Sequence, residues 1–184
     1  MSPLSGGRGI IAFTAPVPAL KAITVALRYA CNRKQFDNAK KSDEVLIIDY
    51  ALTKNRLIPP LAQTIVQIHP GLQLAKAYFA DPSIFNDLKY IGELHAISAS
   101  VKARYAWNST TIAQETRSVL GGHGYSAFSN FSSYFHDMDV NNTWEGDNHM
   151  LLQQTSKYLM NTIGKKGKTK ILDLSFLWNP ITID

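Results

Sequence analysis

Apolar residues recur along most of this chain at intervals of three and four, the spacing that lines one face of an α-helix. From about Pro16, Leu20, Ile23, Leu27 and Cys31 hold that period, while Lys21, Arg28 and Lys34 fall on other faces. Pro16 and Pro18 suit a first helical turn, where a missing N–H costs little. The preceding Met1 to Arg8 reads as a loop by composition. The first helix is expected to end near Arg33 to Phe36, and a polar linker, Asp37 to Asp43, follows. A second helical stretch runs from about Asp43 to Phe79 with Val45, Ile48 and Leu52 on its apolar face. Pro59-Pro60 predicts a kink or break there, His69-Pro70-Gly71 offers another, and Asp81-Pro82-Ser83 reads as a turn. The third helix covers about Ser83 to Leu120, with Ile84, Leu88, Ile91, His95 and Ser98 on one face. Its centre carries Ala96, Ser98, Ala99, Ser100, Ala103 and Ala106, small enough for neighbouring helices to approach closely. An irregular aromatic segment spans Ser126 to Thr143. The fourth helix begins near Glu145 and runs to about Ile163, with Leu151, Leu152, Thr155 and Leu159 inward.

No stretch alternates apolar and polar residues, and nothing reads as a βαβ unit. The expected class is therefore all-α, an antiparallel four-helix bundle over residues 1–164, with a basic then apolar tail over 165–184. At 184 residues and 45% hydrophobic content the chain can bury one sizeable core.

Charge changes the picture once it is located. The net +5 contains four lysines of one run, Lys165, Lys166, Lys168 and Lys170, so the body carries +5 − 4 = +1. No aromatics interleave the run, which argues for a solvated tail and against nucleic-acid binding. The single cysteine, Cys31, excludes an internal disulfide and reads as a buried small hydrophobe. No secretory leader and no apolar run of about 18 residues stand out, so a soluble, non-secreted protein is expected. The five histidines lack i,i+4 pairing with one another, which leaves no metal site.

Two segments carry chemistry. Thr143-Trp-Glu-Gly-Asp-Asn148 places one of four glutamates, Glu145, at the expected start of a helix. Such an acid either caps the helix or serves as a general base, tuned for proton transfer near neutral pH by apolar surroundings. Gly146 beside it leaves backbone N–H groups uncrowded enough to polarise a substrate carbonyl. Gly121-Gly122-His123-Gly124-Tyr125 has three glycines in four positions. One can end a helix, and the surplus suits backbone passing close to a phosphate or ribose. No strand precedes the loop, which excludes a Rossmann fingerprint. His123 is either a ligand donor or a surface residue. Arg33-Lys-Gln-Phe36 either complements a helix C-terminus or places Arg33 against a diphosphate.

In combination, Arg33-Lys-Gln-Phe36, Gly121-Gly-His-Gly-Tyr-Ser126, Thr143-Trp-Glu-Gly-Asp-Asn148 and Leu151-Leu-Gln-Gln-Thr155 resemble the peroxisomal acyl-CoA oxidases, with the branched-chain, pristanoyl-type members nearest. Glu93-Leu-His-Ala-Ile-Ser-Ala-Ser100 looks like the third bundle helix of that family, and the likeness runs from about Ser5 to Met160. The resemblance implies an FAD-dependent enzyme that takes a fatty acyl-CoA to a trans-2-enoyl-CoA and yields hydrogen peroxide. It assigns the base to Glu145, an acyl-CoA-pocket role to Arg8, and flavin contacts to Asp147 and His149. Arg33, Gln35, Phe36, Gly121, Gly122, His123 and Gly124 would reach the flavin of a partner copy in a homodimer. Some related dehydrogenases carry their base just before the arginine matched by Arg8, and here that position is Gly7. Asp37, Trp144 and His149 depart from the residues usual at their positions. The resemblance also implies an N-terminal helical and a middle β-domain before this bundle and a helical domain after it. It places the protein in the peroxisome, although the chain ends Ile-Thr-Ile-Asp and not with a Ser-Lys-Leu type address. A non-catalytic dimerisation or regulatory module and an acyl-CoA dehydrogenase are the alternatives.

Overall fold

Small side chains decide how this protein packs. A computed structural model describes residues 2–38, 41–80 and 91–163. The turn at Asp81 to Ser83, the face positions Ile84 and Leu88, and the tail 165–184 lie outside them. The described residues form α1 (Ser2–Thr14), α2 (Pro16–Ala30), a hairpin of β1 (Lys34–Asn38) and β2 (Lys41–Leu46), α3 (Ala51–Ala80) and α4 (Ile91–Val119). The short α5 (Gly122–Tyr125), α6 (Phe131–Asp139) and α7 (Asn148–Ile163) follow. Helix α4 is central and packs against α1, α2, α3 and α7. The bundle is all-α in character, as the periodicity predicts, with the hairpin as its one described sheet.

Helix α2 buries Ala19, Ala22, Ile23, Ala26 and Ala30, an alanine stripe at three- and four-residue spacing. Ala99, Ala103, Ala106 and Ala113 of α4 are equally buried. The leucine-based face expected for α2 is displaced by this stripe: Leu20 and Leu27 are only half-buried, and Cys31 is exposed. Backbones that meet across alanine come closer than leucine would allow.

Several boundaries differ from the sequence-based expectation. Residues 2–14 form a helix and not a loop, despite Gly6, Gly7 and Gly9. Each glycine costs roughly 1 kcal/mol of helix propensity relative to alanine, and burial of Arg8, Ile11 and Ala12 against α3 and α4 overrides it. Helix α2 ends at Ala30, so Arg33 and Lys34 are not its last turn, and the described residues of the expected linker belong to the paired strands β1 and β2. The stretch from Asp43 supplies strand and a 3-10 turn before α3 begins at Ala51. Helix α3 then continues through Pro59, Pro60 and Pro70 without the expected breaks. Thr64 Oγ1 donates back to the Pro60 carbonyl at 2.8 Å, one turn earlier in the same helix. The aromatic segment after Ser126 is ordered into α6 and two 3-10 turns.

Gly6–Ala30 is long and apolar enough to cross a membrane by length and composition, with mean hydropathy 1.8, contrary to the expectation of no such run. In the bundle 44% of that window is buried as core helix.

Gly71 marks a close approach of α3 to the backbone of α1. A Cβ there would lie 2.6 Å from the Ala12 carbonyl oxygen and 3.0 Å from Phe13 Cα, both backbone atoms that cannot swing aside. Gly71→Ala is expected to destabilise the fold by about 1–3 kcal/mol through overpacking, read by thermal unfolding. The exposed control Gly122→Ala, whose Cβ would meet nothing within 4 Å, should leave stability within about 0.5 kcal/mol.

Candidate active site

The site forms where α1, α4 and the start of α7 converge on the turn that carries Glu145. That turn is not the first turn of α7, as the sequence predicts. Glu145 precedes the helix with φ 55°, and Gly146 follows at φ 113°. A non-glycine residue in left-handed backbone costs roughly 1–3 kcal/mol and persists only where its surroundings impose it.

The surroundings are two buried cations. Arg8 Nε donates to the Glu145 carbonyl at 2.9 Å. Lys102 Nζ donates to the next carbonyl, that of Gly146, at 2.7 Å and to Asn148 Oδ1 at 2.8 Å. Lys102 is wholly buried and Arg8 nearly so. Burial pushes the Lys102 ammonium down to about 8; Arg8 adds to the shift, and Asp147 and Glu145 oppose it. Burial also lowers the Arg8 guanidinium, with Glu145 opposing. The neighbourhood of Glu145 is thus cationic and not the apolar surface the sequence suggests.

A chain of side chains supports each cation. Arg8 Nη1 lies 3.0 Å from His95 Nδ1, and His95 Nε2 lies 2.8 Å from Gln154 Oε1. Guanidinium only donates, so Nδ1 accepts and Nε2 carries the proton that Gln154 receives. On the other side Asn148 Nδ2 donates to Asn142 Oδ1 at 3.1 Å, and Asn142 Nδ2 reaches Thr110 Oγ1 and Asp139 Oδ1 at 3.0 Å each.

The Glu145 carboxylate points at α1. A Cβ on Gly7 would stand 2.7 Å from Glu145 Cδ and within 2.9 Å of both oxygens. Position 7 and the carboxylate therefore occupy one point in space. Glu145 Oε2 is buried without a hydrogen-bond partner among the described residues. Native folds rarely leave such an oxygen unpaired without a reason beyond packing.

Asp147 and His149 take up roles in the fold. Asp147 Oδ1 accepts from the His149 and Met150 N–H groups at 3.0 and 3.1 Å, which makes Asp147 the N-cap of α7. The cap assigned to Glu145 as its structural alternative belongs to Asp147. The His149 ring meets Trp107 edge-on at 4.8 Å between centroids.

The second predicted group comes together elsewhere. A cavity of about 350 Å³ is lined by Tyr29, Arg33, Gln35, Leu120, Gly121, Gly122 and His123. The hairpin brings Arg33 and Gln35 to it, with Ile47 N–H donating to the Arg33 carbonyl at 2.9 Å and Tyr50 Oη to the Gln35 carbonyl at 3.0 Å. Gly121 adopts φ 59°, and a Cβ on it or on Gly122 would meet open space. Gly124 differs: its Cβ would fall within bonding distance of the Arg117 carbonyl, so it seats the loop on the end of α4. Phe36 has φ 66° and is exposed, outside the lining.

Comparison with known proteins agrees with this architecture. Residues 3–160 match the family described as "Acyl-CoA oxidase, C-alpha1 domain". The acyl-coenzyme A oxidase of Komagataella pastoris is 34% identical over 200 residues, covering 98% of this chain and 27% of that protein. The chain belongs to the acyl-CoA oxidase family. The peroxisomal acyl-coenzyme A oxidase 3 of Arabidopsis thaliana is 33% identical, over 86% of this chain and 23% of its own length. The acyl-CoA oxidase-2 of Caenorhabditis elegans, solved bound with FAD, ascaroside-CoA and ATP, superposes with a TM-score of 0.86 at 28% identity, over 94% of this chain and 27% of that one. The chain spans about a quarter of the length of these relatives. The family is the one the motifs indicate; branched-chain preference is a finer property that these relatives' names do not carry.

Lys102 is in none of the sequence motifs, and His95, Asn148 and Gln154 fall within motifs that give them no individual role. A signal for Lys102 exists: it falls three residues after Ala99 on the small-residue stripe of α4, where a charge has no reason to sit unless paired. Two outcomes follow. Gly7→Ala should force the Glu145 carboxylate aside and destabilise the fold by about 1–3 kcal/mol through overpacking, read by thermal unfolding. Because the folded Lys102 loses its proton near 8 and an unfolded lysine near 10.5, the unfolded chain binds more protons between those values. Its contribution to stability should therefore rise with pH across that window, a slope seen in urea unfolding that Lys102→Met lacks.

Proposed function

We propose that this chain is the catalytic helical bundle of an FAD-dependent acyl-CoA oxidase, converting fatty acyl-CoA to trans-2-enoyl-CoA with release of hydrogen peroxide. The observation that carries it is the Glu145 carboxylate, held in left-handed backbone with one oxygen buried and unpartnered among the described residues. A structural acid would use that oxygen; a base awaiting an acidic C–H would not.

Glu145 takes the α-proton of the acyl thioester. Arg8 acts through the Glu145 carbonyl, and joins the acyl-CoA pocket on the family resemblance. By holding that carbonyl it polarises the Glu145–Gly146 peptide, which strengthens the Gly146 N–H as a donor toward the thioester oxygen and acidifies the α-carbon. Bound FAD supplies hydride acceptance at the β-carbon and return of the electrons to oxygen.

The cavity at the glycine loop fits the phosphate-bearing part of such a cofactor. Arg33 supplies charge, Gln35 and His123 supply polar groups, and the uncrowded faces of Gly121 and Gly122 admit close backbone approach. Phe36, Asp147 and His149 are exposed and join as flavin contacts on the family resemblance, and Gly124 supports the loop from beneath. None of the residues lining this cavity belongs to the Glu145 cluster. That separation supports a homodimer in which the loop serves the flavin of the partner copy. The peroxisomal relatives support a peroxisomal protein.

In the full-length protein, Glu145→Gln should lower acyl-CoA-dependent peroxide release by ~10²–10⁴-fold, the usual weight of a positioned base, with FAD still bound. Undiminished activity would remove Glu145 from the role. Arg33→Ala should instead deplete bound FAD, measured by the flavin absorbance retained after gel filtration.

A further inference from the structure

The wholly buried Lys102 is not used by the reaction as described, and nothing about proton abstraction requires it. Its position is specific nonetheless. It projects from the alanine face of α4, beside Ala99 and Ala103, which pack against Leu151 of α7. Both hydrogen bonds leave the helix: one to the Gly146 carbonyl in the turn, one to Asn148, the first residue of α7. Burial of an ammonium is costly, and hydrophobic residues of its volume would pack this interface without that cost.

The turn explains the expense. Arg8 and Lys102 hold the carbonyls of two consecutive residues, both with positive φ. A single anchor on Glu145 would leave the Gly146 peptide plane free to rotate, because glycine accepts many φ values. With both carbonyls held, the turn keeps its place between α1 and α4, and the Glu145 carboxylate stands against α1 at Gly7. Resting on the reading of Glu145 as the base, we propose that Lys102 is a positioning residue that locks the Gly146 peptide and so fixes where the Glu145 carboxylate stands.

Charge enters as well. The charged groups acting on Lys102 are Arg8 from α1 and Glu145 and Asp147 from the turn. The neutral amine keeps two N–H groups, enough for the Gly146 and Asn148 bonds. Deprotonation therefore removes a cation from beside the base without releasing the turn. Because the lock survives loss of that proton, flavin reduction should stay level as pH rises through the range in which Lys102 titrates.

The test is made in the full-length enzyme, by anaerobic flavin reduction with a saturating acyl-CoA. Lys102→Met should slow reduction by ~10–100-fold, the effect of misplacing a reacting group by about an ångström, with FAD content and acyl-CoA affinity unchanged. A rate within twofold of the parent overturns the proposal. So does a loss of rate matched by equal losses of FAD content and affinity, the mark of a merely structural lysine. Should Lys102→Met fail to fold, the pH profile of the parent decides: its reduction rate should stay level across about pH 7 to 9, and a fall that follows loss of the Lys102 proton overturns the proposal. Glu145→Gln run alongside separates the two readings. If it retains activity, the base is wrongly assigned; if it is inactive while Lys102→Met is not, only the role of Lys102 falls.

Discussion

Two consecutive peptide carbonyls, those of Glu145 and Gly146, are each gripped by a cation buried inside the bundle. The rest of the site follows from that pair of contacts. They hold a glutamate in backbone that a non-glycine residue avoids, and they direct its carboxylate to Gly7 of α1, where no side chain stands in the way. Placing two cations in a helical core is unfavourable unless every donor finds an acceptor. Here the acceptors are carbonyls that a left-handed turn exposes and a regular helix would have used internally. Strain in the turn and burial of the cations thus offset one another, and neither would persist alone.

The bundle makes those contacts short. Alanine stripes on α2 and α4 let the helices approach, and Gly71 lets α3 meet the backbone of α1. This brings α1, with Arg8 and Gly7, against the same turn that α4 reaches with Lys102. Leucines at those positions would leave Arg8 and Lys102 too far from carbonyls separated by a single residue. Ser109 shows the same economy, donating from α4 to the Ala15 carbonyl at 2.6 Å where α1 meets α2.

Much of this was legible beforehand. Helical periodicity located α2, α4 and α7, and the glycine loop and Glu145 were identifiable as chemistry from residue type and spacing. Arg33 and Gln35 were matched to that loop by resemblance, and the structure places all three on one cavity. What was not legible had common causes. A glycine-rich opening reads as loop because propensity is local, whereas α1 is helical through burial against two other helices. The prolines of α3 read as breaks because the cost of a lost backbone bond is visible in sequence and the packing that outweighs it is not. The hairpin carries too few apolar positions to show alternation, and its bulged register blurs what remains.

Residue type and spacing along one helix or loop were enough to give the class of fold and to single out Glu145 and the glycine loop as candidate chemistry. How Glu145 is held is settled only in three dimensions. The partners of Glu145 lie 137 residues away at Arg8 and, through Gly146, 44 away at Lys102. Hydrogen bonds over such separations leave no period in the chain. They exist only once the helices have closed on one another.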